Sequence, residues 1–148
     1  MEKGLSSIIS ESFGIEKKDL NTYSPLTLAY IGDVVFDIVI RTAVVCHGNT
    51  RANLLHRSTA AVVKATSQSE MMDIILPHLT EEEEAVYRRG RNAKSKTTAK
   101  NAPVVDYRKA TGLEALMGYL YLDDRMERIL ELIKIGLEEV DVPWNTKN

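Results

Sequence analysis

The sequence has one cysteine, Cys46, so no disulfide can close within the chain. That fits a reducing cytoplasm, the expected location. Its three histidines, His47, His56 and His78, stand far apart and show no zinc-ligand spacing. There is no glycine-rich phosphate loop and no serine-hydrolase elbow. No uncharged apolar run is long enough to span a bilayer, and no membrane partner is expected. The opening stretch "MEKGLSSIISESFG" lacks the basic-then-apolar layout of a signal peptide. With a net charge of -2 the molecule is no polycation, so any nucleic-acid contact must rest on a local basic patch. Only four prolines and eight glycines punctuate the chain, and strand-like alternation with hairpin turns is absent.

What is present is helical periodicity almost throughout. Ser24-Pro25 reads as an N-cap and a first helical position, opening a helix that runs to about Cys46 and stops at "HGN". A second helical region, Arg51 to Leu79, is expected to break once, near Thr66 to Ser69. Thr80 with Glu83 matches a capping box and opens a short helix through Arg89. "GRNAKSKTTAKNAPVV" has no apolar period and reads as a loop. "DYRKATGLEALMGYLYLDD" is the next helix. "RMERILELIKIGLEEV" is an amphipathic last one, with Ile129, Leu130, Ile133 and Leu137 on one face. With 44% hydrophobic and 27% charged residues over 148 positions, the chain reads as one all-α domain spanning residues 1–148. The pattern holds about six or seven helices and no internal repeat.

Two acids stand in apolar helical surroundings. In "LTLAYIGDVVFDIVIR", Leu28, Ile31, Val34, Val35, Ile38 and Val39 recur at helical spacing. Apolar residues surround most of this helix, which predicts a central place in the domain. Asp33 sits among them, and a charge there needs an ion pair, hydrogen bonds or a metal. Asp37 lies one turn on, spaced to pair with Arg41. Gly32, costly within a helix, predicts the close approach of another helix. The second acid is Glu114 in "ATGLEALMGYLYL", with Gly118 one turn on. Thr111 to Glu114 also fits a capping box, whereas a helix starting at Asp106 would place Glu114 in its interior; the sequence allows both. If both acids face one cleft, they suit Mg²⁺, a hard ion typically held by one or two carboxylates plus waters and substrate phosphate.

From Arg88 to Lys100 the sequence is "RRGRNAKSKTTAK", with Arg88, Arg89, Arg91, Lys94, Lys96 and Lys100 and no acid. Such a segment can follow a phosphate backbone without reading sequence. It can equally be a solvated surface segment answering "EEEE" at Glu81 to Glu84. No aromatics interleave with the charges, which fits a shallow A-form minor groove better than a single-strand stacking platform.

"LAYIGDVVFDIVIR" resembles the signature helix of the ribonuclease III family, and more closely its Mini-III branch. "RRGRNAKSKT" and "YRKATGLEALMGYLYL" resemble that branch's other two hallmarks, in the same order, over nearly the whole chain. The resemblance implies an all-α, homodimeric endonuclease domain with no separate double-stranded RNA-binding domain. It implies Mg²⁺-dependent hydrolysis of double-stranded RNA to 5′-phosphate products, with one site per subunit. It further implies maturation of the 23S ribosomal RNA precursor, with a ribosomal protein as a candidate presenter of the substrate. Carried over by position, Asp33 and Glu114 are the catalytic and metal-binding acids. Asp37 and Asp106 are candidate outer-shell helpers, and Tyr30 and Phe36 candidate dimer anchors. Two acids of full-length ribonuclease III are missing, at Ala29 and Thr111. That loss suits the branch, and it also suits an alternative in which the fold is a catalytically inactive RNA-binding or ribosome-associated module.

Overall fold

The structure, a computed structural model, describes residues 3–94, 104–140 and 142–144. Among these, seven α-helices and two short 3-10 turns account for the regular structure, with no strand. The helices are α1 (Leu5–Ser12), α2 (Pro25–Cys46), α3 (Ala52–Val63), α4 (Ala65–Ile75), α5 (Glu81–Asn92), α6 (Val104–Leu122) and α7 (Met126–Glu138).

α6 is the central element. Every residue from Ala110 to Leu120 is buried except Glu114. α2, α4, α5 and α7 all pack against it. The central place expected for α2 belongs to α6 instead. α2 buries Leu28, Val35, Phe36, Ile40 and Val44 on one side, but leaves Tyr30, Val34 and Ile38 in water on the other. An apolar composition all round a helix thus does not require cover all round within one chain.

Side-chain caps mark the starts of two of the α-helices, α2 and α5. The Ser24 hydroxyl accepts the Thr27 N–H at 3.2 Å, with Pro25 at the first helical position, as expected. α3 and α4 part at Lys64, which is extended, slightly before the expected break. Polar residues at the expected break lie instead in the first turn of α4. The Ser67 hydroxyl donates to the Ala61 carbonyl at 2.7 Å, and the Gln68 amide to that of Val63 at 3.0 Å. They close the carbonyl end of α3.

The capping box at α5 forms in full. The Glu83 N–H donates to Thr80 Oγ1 at 3.1 Å, and the Thr80 N–H to Glu83 Oε1 at 2.9 Å. Glu83 is buried, and Arg128 of α7 meets it with two bonds, Nε to Oε2 at 2.8 Å and Nη2 to Oε1 at 2.7 Å. Arg128 Nη2 also donates to the His78 carbonyl at 2.9 Å. One guanidinium therefore fastens the last helix to the start of α5. On α7 the buried residues are Ile129, Leu132, Ile133 and Gly136; Leu130 faces outward, so that face is rotated slightly from the one expected.

Candidate active site

α2 and α6 touch backbone to backbone. A Cβ on Gly32 would stand 1.7 Å from the Glu114 carbonyl oxygen, and one on Gly118 would stand 2.0 Å from that of Leu28. Leu28 therefore lies at Gly118 and Gly32 at Glu114, so the helices run antiparallel. The close approach expected at Gly32 is present, and the two glycines make it possible.

This crossing brings the two acids together. The Asp33 carboxylate lies within hydrogen-bond reach of the Glu114 side chain. Burial, then the bond to Asp33 and its charge, push Glu114 up to about 9. Asp33 itself is exposed, so the pair opens to solvent on the Asp33 side. The question of a cap is settled. α6 starts at Val104, ten residues before Glu114, and the Thr111 hydroxyl donates to the Tyr107 carbonyl at 3.0 Å. Glu114 is thus inside the helix, with no backbone donor to satisfy.

Two carboxyls that share a site in this way demand a counter-charge. At neutral pH Glu114 keeps a proton where a cation would otherwise serve. Among the described residues no group of three or more His, Cys, Asp or Glu is placed to hold a metal ion. The donor set is therefore two acids, which fits Mg²⁺ if waters and a substrate phosphate complete its shell. Ala29 and Thr111, where two acids are missing, are both buried. Asp37 is bound by Arg41, Nε to Oδ2 at 2.7 Å, as its spacing predicts. Asp106 stands on the same helix as Glu114 but eight residues earlier, about 12 Å of helix rise away. Phe36 is 1% exposed and sits in the core, so it is not an intermolecular anchor; Tyr30, 80% exposed, is free to be one.

The basic segment begins beside the acids. A Cβ on Gly90 would meet Ala115 Cβ at 2.6 Å and Gly112 Cα at 3.0 Å. That contact seats the end of α5 against the α6 turn that carries Glu114. The helix runs to Asn92 rather than stopping at Arg89, so Arg91 is helical, together with Arg88 and Arg89, and not on the loop. The expected loop also ends earlier, because α6 begins at Val104. Arg88 pairs with Glu84 one turn back, as the acidic run suggested. Arg91 lies 5.7 Å over the Tyr87 ring, and Arg89 and Lys94 are exposed. Lys96 and Lys100 lie outside the described residues. The Gly90–Gly112 contact escaped sequence reading because "RRGRN" looked like the start of a loop. The basic last turn of a capped helix was the available signal.

The family model described as the ribonuclease III domain matches residues 26–125, more than half of the chain. The chain belongs to the ribonuclease III family. Within that family it resembles curated relatives named Mini-ribonuclease 3. One from Thermoanaerobacter is 41% identical over 141 residues, covering 95% of this chain and 99% of the relative. One from Clostridium tetani is 50% identical, covering 79% of this chain and 80% of the relative. One from Enterococcus faecalis is 48% identical, covering 83% and 95%. A crystal structure of a Fusobacterium nucleatum protein superposes with a TM-score of 0.74 at 33% identity, covering 82% of this chain and 98% of that one. The ribonuclease III match spans both crossing points, Gly32 with Gly118 and Gly90 with Gly112.

Proposed function

We propose that this protein is a Mg²⁺-dependent endoribonuclease that cleaves double-stranded RNA, working as a homodimer of single catalytic domains in the cytoplasm. The observation that carries this reading is the Asp33–Glu114 pair, held in contact by two helix glycines and open to solvent beside a basic helix end. The Mini-ribonuclease 3 relatives support it. Asp33 and Glu114 would hold the ion. A bound divalent ion supplies charge stabilisation at the phosphoryl oxygens and a water of lowered pKa.

This chain's own residues do the rest. Glu114 would serve as a ligand in its deprotonated form, and the two carboxylates would orient an attacking water at the scissile phosphate. Arg91 and Lys94, with Lys96 and Lys100 further along, hold the duplex by its phosphates. Water bonds to the scissile phosphorus as the P–O3′ bond breaks, and the 3′-oxygen leaves as a hydroxyl after taking up a proton, so the product carries a 5′-phosphate. Tyr30, Val34 and Ile38 of α2 form the two-fold contact. The substrate is the 23S ribosomal RNA precursor, and a ribosomal protein presents it.

The test is cleavage of a synthetic RNA duplex with Mg²⁺ and with EDTA. Wild type should cut only with Mg²⁺. Asp33→Asn should lose cleavage by about a thousandfold or more while keeping its fold and duplex affinity. An Asp33→Asn protein cutting at the wild-type rate refutes the assignment. The sparse donor set favours one rival, a catalytically inactive RNA-binding module; duplex binding without Mg²⁺-dependent products would establish it.

A further inference from the structure

Among the large apolar side chains that lie in water, which also include Val104, Val105, Met126 and Leu130, two groups stand along α2 or at one end of the molecule. One is the α2 stripe of Leu26, Tyr30, Val34, Ile38 and Val45. The other is the outer face of α1 and its exit, with Leu5, Ile8 and Ile9 at 61%, 53% and 42% exposure and Phe13 at 72%. α1 has only eight residues, too short to be stable alone, and of these only Ser6 is buried. Polar contacts hold it in place. The Ser6 hydroxyl donates to Asp124 at 2.9 Å. Lys17 Nζ donates to the Leu122 carbonyl at 2.9 Å and to Ser6 Oγ at 2.8 Å. The helix is thus clamped by its polar side, and its apolar side is left bare.

We infer that α1 is an arm that packs on a second copy of this chain, beside the C-terminal half of that copy's α2. The inference rests on the homodimer reading above and specifies what completes the contact. Area is the first argument. The α2 stripe exposes on the order of 500 Å² of apolar side chain, whereas obligate homodimers bury about 1,000 Å² or more per subunit. The α1 face offers an area of similar size.

Position is the second argument. α1 is tied to Leu122 and Asp124, at the end of α6. Because α6 runs antiparallel to α2, that is the end of the molecule where α2 begins. A two-fold axis crossing α2 near Val34, the middle of its stripe, makes the two α2 helices antiparallel. Each α1 then stands beside the far half of the other α2. Val45, 63% exposed, is there, about 16 Å along the helix from Val34 and beyond the reach of a simple helix crossing.

The exposed Cys46 provides the test. α2 separates Leu26 from Cys46 by about 30 Å, so a thiol on α1 cannot reach the Cys46 of its own chain. Ile8→Cys or Ile9→Cys, oxidised with diamide, should give a disulfide-linked dimer on a non-reducing gel, and the same variants with Cys46→Ser should not. The Ile8→Glu, Phe13→Glu double variant should raise the dimer dissociation constant about tenfold or more by sedimentation equilibrium. Absence of the interchain disulfide, or an unchanged dissociation constant, overturns the inference. Val34→Glu separates the two failures. If it yields monomer while the α1 variants change nothing, the α2-mediated dimer stands and the arm does not. A wild type that is monomeric at every concentration removes both.

Discussion

Glu114 is the residue whose state is most easily moved. Burial and the neighbouring Asp33 push it up to about 9, against 4.5 for an unperturbed glutamic acid. A raised carboxyl pKa means the folded protein holds a proton that the unfolded chain gives up. Its stabilising contribution is full below about pH 4.5 and is lost as pH rises to about 9. In EDTA, the melting temperature should therefore fall as pH rises through this window. Glu114→Gln should flatten the fall, and Mg²⁺ should stabilise wild type more at the alkaline end than at the acid end. Equal slopes for wild type and Glu114→Gln would show that the pair is not proton-linked. Both acids stand out in the sequence as carboxylates near a helix glycine in an apolar run. That pattern does not decide between a site and a quiet role such as a cap for Glu114, and Asp33 lies exposed rather than enclosed by apolar neighbours. Their contact was not legible, since it depends on which faces of two helices, eighty residues apart, turn toward each other. Phe36 was misread for a related reason. Its spacing on α2 does not show that the core reaches it while Tyr30, on the same helix, is left outside.

At the scale of elements, the helix boundaries follow local chemistry and the sequence shows them well where a cap exists. Ser24 and Thr80 are the two clear cases. Boundaries set by distant partners are less visible: α5 continues past Arg89 because Gly90 lies flat on Gly112, a contact made only in three dimensions. The tie between α7 and α5 is of this kind as well. Arg128 holds the Glu83 carboxyl below its ordinary range through a direct bond, against the opposing effect of burial. Arg128→Ala leaves a buried acid unpaired and should cost about 3–5 kcal/mol in chemical denaturation at neutral pH. The contribution of a lowered carboxyl pKa is present above the unfolded value, 4.5, and disappears as pH falls through the folded one. The gap between wild type and Arg128→Ala should therefore narrow in acid. A gap that is constant with pH would place the cost in lost packing instead.

For the whole molecule, a net charge of -2 coexists with a cationic end of α5 placed next to an acidic pair. Binding to a polyanion then depends on few residues and on salt. Arg91→Ala and Lys94→Ala should each weaken duplex binding and lower the slope of log affinity against log salt by about 1, with little effect of RNA sequence. A slope unchanged in the double variant would show that this end of the helix does not touch phosphate. The all-helical architecture was open to sequence reading, because its period is written in every segment. The place of α2 was not, since its exposed stripe has the same composition as its buried side. One consequence belongs to the contact of α2 with α6. Where Leu28 and Gly32 meet Gly118 and Glu114, no side chain stands between the two main chains. The gap there cannot widen by a rotamer hop, as a gap filled by leucines can, and warming that loosens the rest of the interior should reach this seam last. The protein has in effect made the interval between its two acids a property of peptide geometry, leaving its remaining core free to vary around a fixed ruler.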